Sequence, residues 1–110
     1  MEIFECIYDD KFEDFKDIIR EDNSVVNLEN KDGDTVLMKC ISTRNRTRFA
    51  FYILDNHSEN IKNINEKNKS GETALHYAMK FKVFTKLDEL IYKLLSIGAD
   101  PEAKTKNNVT

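Results

Sequence analysis

Ile64-Asn65-Glu66-Lys67-Asn68-Lys69-Ser70-Gly71-Glu72-Thr73-Ala74-Leu75 restates, position for position, an earlier stretch: Val26-Asn27-Leu28-Glu29-Asn30-Lys31-Asp32-Gly33-Asp34-Thr35-Val36-Leu37. A third copy begins near the end, with Asn108 and Thr110 where the earlier copies have Gly and Thr. Gly33 and Gly71 stand 38 positions apart, and Gly71 and Asn108 stand 37 apart. Repetition at a period of roughly 20–50 residues marks a stack of supersecondary units, each burying its apolar face only against its neighbours. A chain built this way works through a surface more than through a catalytic pocket.

The second full unit predicts the local structure most clearly. Asn68 to Gly71 is turn chemistry, with Gly71 free to adopt positive φ. Thr73 stands at an N-cap position, its hydroxyl ready to accept from a free N–H of the next turn. A short helix follows over 74–81 with Leu75, Ala78 and Met79 expected inward, then a second over 88–97 with Leu87, Leu90, Ile91, Leu94 and Leu95 at helical spacing. Gly98 ends it. The preceding unit repeats the scheme: a turn at 30–33, Thr35 as cap, helices over 36–42 and 46–56, the latter carrying Phe49, Tyr52, Ile53 and Leu54. A degenerate first unit has Ile3, Phe4 and Ile7 on one helix and Phe12, Phe15, Ile18 and Ile19 on another. Its acids Glu2, Glu5, Asp9 and Asp10 suit the polar outer end that a stack requires.

Composition narrows the class. The 110 residues make one domain, with 40% hydrophobic and 34% charged residues, as in a soluble globular chain. A net charge of −3 argues against nucleic acid as the main partner. The local exception, Arg44-Asn45-Arg46-Thr47-Arg48, reads as a solvated loop at a helix start. No apolar run approaches the roughly 20 residues of a membrane span, and Met1-Glu2-Ile3-Phe4-Glu5 lacks the features of a signal peptide. The expected setting is therefore intracellular and reducing, with Cys6 and Cys40 as free thiols. The Asn-x-Ser/Thr triplets at Asn45, Asn56, Asn68 and Asn108 are then chance matches.

Gly71-Glu72-Thr73-Ala74-Leu75-His76-Tyr77-Ala78 resembles the ankyrin signature G-x-T-P-L-H-x-A. Gly98-Ala99-Asp100 is similar to the G-A-D that closes the second ankyrin helix, and Val26-Asn27 and Ile64-Asn65 match the V-N that opens the next turn. The resemblance implies an all-α ankyrin-repeat solenoid of stacked antiparallel helix pairs joined by β-turn or hairpin loops. It divides the chain into a degenerate capping repeat (1–29), two repeats (30–67 and 68–103) and the start of another (104–110). Units of 38 and 37 residues exceed the ankyrin period of about 33, so insertions are expected at 56–63 and at 82–86. The signature Pro is Val36 in one unit and Ala74 in the other, and the signature His is kept as His76 but replaced by Met38. In the family that His bonds the turn.

No constellation for catalysis or cofactor binding emerges. Cys6, Cys40, His57 and His76 lack zinc-ligand spacing, and Cys40 falls where Ala78 sits in the next unit, as a packed core thiol. The stretch around Asn30-Lys31-Asp32-Gly33 fails as a calcium loop because Leu28 and Lys39 occupy its end positions. His76 has no nucleophile or carboxylate at a fixed offset, and three glycines at turns and helix ends make no phosphate loop. Phe12, Phe15, Phe49, Tyr52 and Tyr92 read as core. The expectation is a non-enzyme with no cofactor, no metal, no nucleic acid and no membrane partner.

What the resemblance implies instead is recognition of a protein partner by turn tips and the concave first-helix face. By position the tips are Lys31, Asp32 and Asp34, then Lys69, Ser70 and Glu72, then Lys106 and Asn107; the helix face adds Ser42, Thr43, Tyr77, Lys80 and Phe81. Two alternatives accompany it. One is a targeting region of a larger viral or bacterial adaptor or effector acting in a host cytoplasm, with which the Lys/Asn-rich composition is compatible. The other is self-association through an exposed C-terminal repeat, where Leu90 to Leu95 would lie open on one side.

Overall fold

The computed structural model describes residues 2–81 and 87–105. Among the described residues, six α-helices run in chain order: α1 Ile3–Tyr8, α2 Phe12–Glu21, α3 Val36–Ser42, α4 Thr47–Asn56, α5 Ala74–Lys80 and α6 Leu87–Ser96. They pair as α1/α2, α3/α4 and α5/α6, and the pairs stack in order, with α1, α3 and α5 forming an inner row and α2, α4 and α6 an outer one. This is the all-α solenoid that the repeat implies. The insertion expected at 82–86, the third tip at Lys106 and Asn107, and the side chain of Leu87 lie outside the described residues.

Local chemistry sets the helix starts. Thr35 and Thr73 each accept through the side-chain hydroxyl, from the Met38 N–H at 3.2 Å and the His76 N–H at 3.3 Å. The turn before each needs a left-handed residue, and Gly33 and Gly71 both have φ of 78°. The first unit begins differently, on a reciprocal box in which Glu2 accepts from the Glu5 N–H and Glu5 from the Glu2 N–H. Sharp reversals inside the first two pairs rest on Asp10 (φ 58°) and Asn45 (φ 63°), each two residues ahead of the second helix. Asp and Asn tolerate that region better than other side chains.

One continuous core runs through the stack. Ile7, Phe15, Ile19, Ile41, Phe49, Ile53, Leu90 and Leu94 are fully buried. Between the outer helices Phe12 and Phe15 close on Phe49 with ring centroids 4.9 and 4.8 Å apart. Cys6 and Cys40 are free and buried, and desolvation pushes both thiols above their ordinary range. Cys40 and Ala78 occupy equivalent places, both at 0% exposure.

Three sequence expectations need correction. Met79 is 57% exposed, although its counterpart 38 positions earlier, Ile41, is fully buried. The next helix pair covers Ile41, and no described residue does the same for Met79. Tyr92 is 73% exposed because it lies two residues from both Leu90 and Leu94, on the opposite side of α6 from that buried stripe. The Arg44–Arg48 segment is a staple: Arg46 donates through Nε to the Ile7 carbonyl and through Nη2 to the Tyr8 carbonyl at 3.2 Å, satisfying the end of α1. Arg48 pairs with Asp10 at 2.6 Å, so that acid serves the contact between units as well as the outer end. The excess at 56–63 is taken up by a 3₁₀ turn at Ser58–Asn60, held by His57 Nδ1 to Asn60 Oδ1 at 3.2 Å.

Candidate protein-binding face

The two described tips are built alike. Asn30 Oδ1 accepts from the Asp32 and Asp34 N–H groups at 2.9 and 3.0 Å, and Asn68 Oδ1 accepts from the Ser70 and Glu72 N–H groups at 2.9 Å each. Each asparagine therefore satisfies two turn amides at once, which leaves the tip with little freedom. Neighbouring tips also touch. The Lys69 N–H donates to the Asp32 carbonyl at 3.1 Å, and a Cβ on Gly33 would come within 3.0 Å of the Lys69 nitrogen.

Beneath the tips, a second asparagine set ties each unit to the next. Asn27 donates to the Asn60 carbonyl at 2.9 Å and accepts from the Lys62 N–H at 3.0 Å. Asn65 does the same with the Gly98 carbonyl (3.1 Å) and the Asp100 N–H (2.7 Å). These clamps explain the V-N pairs in the sequence.

Of the residues expected at the surface, Lys31, Asp32, Lys69, Ser70 and Lys80 are exposed, and Ser42, Thr43, Glu72 and Phe81 are partly so. The hydroxyls of Ser42 and Thr43 both turn back to the Lys39 carbonyl, at 3.3 and 2.7 Å, and Glu72 pairs with Lys80 at 3.3 Å. Asp34 and Tyr77 are corrections, for they are buried at 5% and 8% exposure. Tyr77 Oη donates to Asp34 Oδ1 at 2.7 Å, and Asn68 Nδ2 reaches both the carboxylate (2.8 Å) and the phenol oxygen (2.9 Å). Burial, with the Asp34 carboxylate beside it, pushes the Tyr77 phenol well above its ordinary range. This triad locks the second tip to the first and offers nothing to a partner.

Two apolar side chains that sequence position did not single out complete the face. Tyr8, at the end of α1, is 55% exposed, and Leu28, leading into the first tip, is 50% exposed. They border a groove of about 500 Å³ between α1 and that tip. The available signal was an apolar Leu28 in an otherwise polar approach to a turn. Lys39 Nζ lies 5.2 Å over the Tyr8 ring. Among the described residues, no three His, Cys, Asp or Glu side chains gather as metal ligands, and no helix is long and apolar enough to cross a membrane.

The family model for ankyrin repeats (3 copies) matches residues 3–105. The chain belongs to the ankyrin-repeat family. Among solved structures it is similar to a chain from the complex of the predatory endopeptidase Bd0816 of Bdellovibrio bacteriovorus with immunity protein Bd3460. The TM-score is 0.70 at 25% sequence identity over 98% of this chain. This chain spans about half the length, 52%, of the one it matches. Ankyrin repeats are generally protein–protein interaction modules and typically non-catalytic.

Proposed function

We propose that this chain is a non-catalytic module that binds a protein partner through its turn tips and inner-helix face. The observation that carries this reading is the bond from the Lys69 N–H to the Asp32 carbonyl. It holds consecutive tips in fixed register, so Lys31, Asp32, Lys69 and Ser70 form one preorganised row instead of independent loops. Preorganisation reduces the ordering cost of association. The similar solved chain comes from a complex of two proteins, an endopeptidase and an immunity protein, which supports a protein as the partner class.

Site-specific photo-crosslinking tests it. A photoreactive residue at Lys31, Lys69 or Lys80 is expected to capture the partner, whereas one at Asp17 or Ser96 on the outer helices is not. Adducts from the outer positions alone would place the site on the other side.

Self-association is a second reading, favoured by Met79 at 57% and Leu95 at 41% exposure on the C-terminal side of the stack. Leu90 is fully buried and unavailable to it. Light scattering at micromolar concentration distinguishes a monomer from a dimer, and Leu95→Asp would dissolve such a dimer without entering the core.

A further inference from the structure

Among the described residues, five carboxylates have a cation at ion-pair distance. Glu13 pairs with Lys16, Asp17 with Arg20, Asp10 with Arg48, Asp55 with Lys93 and Glu72 with Lys80. Four others gather at the groove between α1 and the first tip. Glu2 and Glu5 stand on one wall and Glu29 and Asp32 on the other, and none of the four has a described cation at ion-pair distance. Among the described residues Lys31 lies on the rim and the Lys39 ammonium lies over the Tyr8 ring, so the four carboxylates outnumber the two cations. Glu2 and Glu5 each give one oxygen to the other's backbone N–H, at 2.8 and 3.4 Å, and among the described residues nothing bonds the second oxygen of either. Between these walls lie Tyr8 and Leu28, both about half exposed.

An apolar strip flanked by carboxylates matches one kind of side chain, a long aliphatic stem ending in a cation. Lys39 already covers a face of the Tyr8 ring. An incoming stem therefore packs on the ring edge and on Leu28, and the head group reaches the carboxylates beyond. Arginine fits better than lysine, because its planar fork can meet carboxylates on both walls. A nucleic-acid backbone would meet four like charges.

We propose that this groove seats an arginine, or less well a lysine, of an extended segment of the protein partner. This deepens the partner-binding reading and rests on it. The charge changes along the same face, where Lys67 and Lys69 approach the second tip, so the seat also sets the direction in which a segment lies.

The test is an amide chemical-shift titration of the full chain with two blocked pentapeptides, GRLRG and its acidic twin GELEG. GRLRG is expected to shift the amides of Tyr8 and of residues 28–32, with GELEG leaving them unmoved. The double variant Glu29→Lys/Asp32→Lys changes two exposed side chains and is expected to keep its helical circular dichroism. It should weaken GRLRG binding by about tenfold, as reversal of two surface charges implies. Equal shifts from both peptides, or unchanged GRLRG binding by the variant, overturns the proposal. If crosslinks still form from Lys69 and Lys80 in that event, the partner face stands and only the arginine seat is lost.

Discussion

The second and third units share a turn, a threonine cap and a helix length, yet they join the following loop in different ways. In the third, His76 Nδ1 accepts from the Thr73 N–H at 3.0 Å, and Nε2 lies 2.9 Å from the Ala103 carbonyl. One neutral imidazole, protonated on Nε2, thus links the cap, the helix and the next turn. In the second unit the same position is Met38, 1% exposed and without an N–H to give. The loop it faces has the same local form. Asn63 Oδ1 accepts from the Asn65 N–H at 3.0 Å, as Asp100 Oδ1 accepts from the Glu102 N–H at 2.8 Å. What differs is spacing. Asp100 is at once the clamp's N–H donor and the first turn residue, whereas Lys62 is clamped and Asn63 starts the turn. One extra residue holds the loop off, and a cavity of about 250 Å³ lies there, bordered by Thr35, Leu37, Met38 and Glu66. A polar lock forms where the loop comes close, and an apolar, roomier joint where it does not.

The largest effect should come from the matched pair Leu37→Ala and Leu75→Ala, buried at 4% and 5% exposure. Each is expected to cost about 2–5 kcal/mol in urea denaturation. Leu37 borders the existing cavity and Leu75 does not, so the Leu37 variant leaves the larger void and should lose more. The reverse order would mean that the second joint collapses on truncation, and the contrast between the two joints would be one of static geometry only.

Much of this organisation was legible in the chain and some was not, for identifiable reasons. The caps of Thr35 and Thr73 and the positive φ of Gly33 and Gly71 act within four residues of themselves, so sequence neighbours suffice to read them. The close approach of Gly33 to Lys69, by contrast, needs the stack. Asn27 and Asn65 were visible as a recurring pair, but their partners lie 33–35 residues away, and the clamp needs the stack to exist. Asp34 and Tyr77 were assigned to the surface by their places in a tip and on an inner helix. They are buried because each satisfies the other across 43 positions, a pairing that single-unit reasoning does not contain. Arg46 and Asp10 join units in the same non-local manner. Met79 repeats the apolar character of Ile41, and periodicity alone cannot say whether the next layer covers it.

Tyr77 sharpens the comparison further, because Lys39 holds its place in the second unit. There Asn30 organises its own turn with no described bond to a phenol, while Asn68 is bonded to Tyr77 and Asp34. Tyr77→Phe is expected to cost about 1–3 kcal/mol by leaving part of the buried Asp34 carboxylate unsatisfied. It carries a pH signature as well. The folded phenol holds its proton above the ordinary pKa of about 10. The folded state therefore binds more protons than the unfolded one at alkaline pH. That contribution is complete below pH about 10 and declines as pH rises beyond it. Urea melts between neutral and alkaline pH should show a steeper loss for the parent chain than for Tyr77→Phe. Parallel losses would mean that the phenol reaches water.

The smallest effect, and the most direct test of the two joints, is expected from Met38→His. The variant places an imidazole where the cap is already correct, since Thr35 accepts from the residue 38 N–H as Thr73 does from His76. Nδ1 can then accept from the Thr35 N–H and Nε2 can turn toward the Glu66 carbonyl, the counterpart of Ala103. Against this stand the lost burial of a thioether and the distance that the additional loop residue imposes. A hydrogen bond contributes about 1 kcal/mol net, and exchanging a buried apolar group for a polar one costs a similar amount. The two nearly cancel, so stability should change by less than about 1 kcal/mol. The imidazole nitrogens give the sharper reading. A single Nε2-protonated tautomer at residue 38, matching that of His76, would mean that the loop can close on its donor. A mixed or Nδ1-protonated ring would mean that Lys62 keeps the two apart, and that the cavity is a fixed consequence of loop length instead of the choice of methionine.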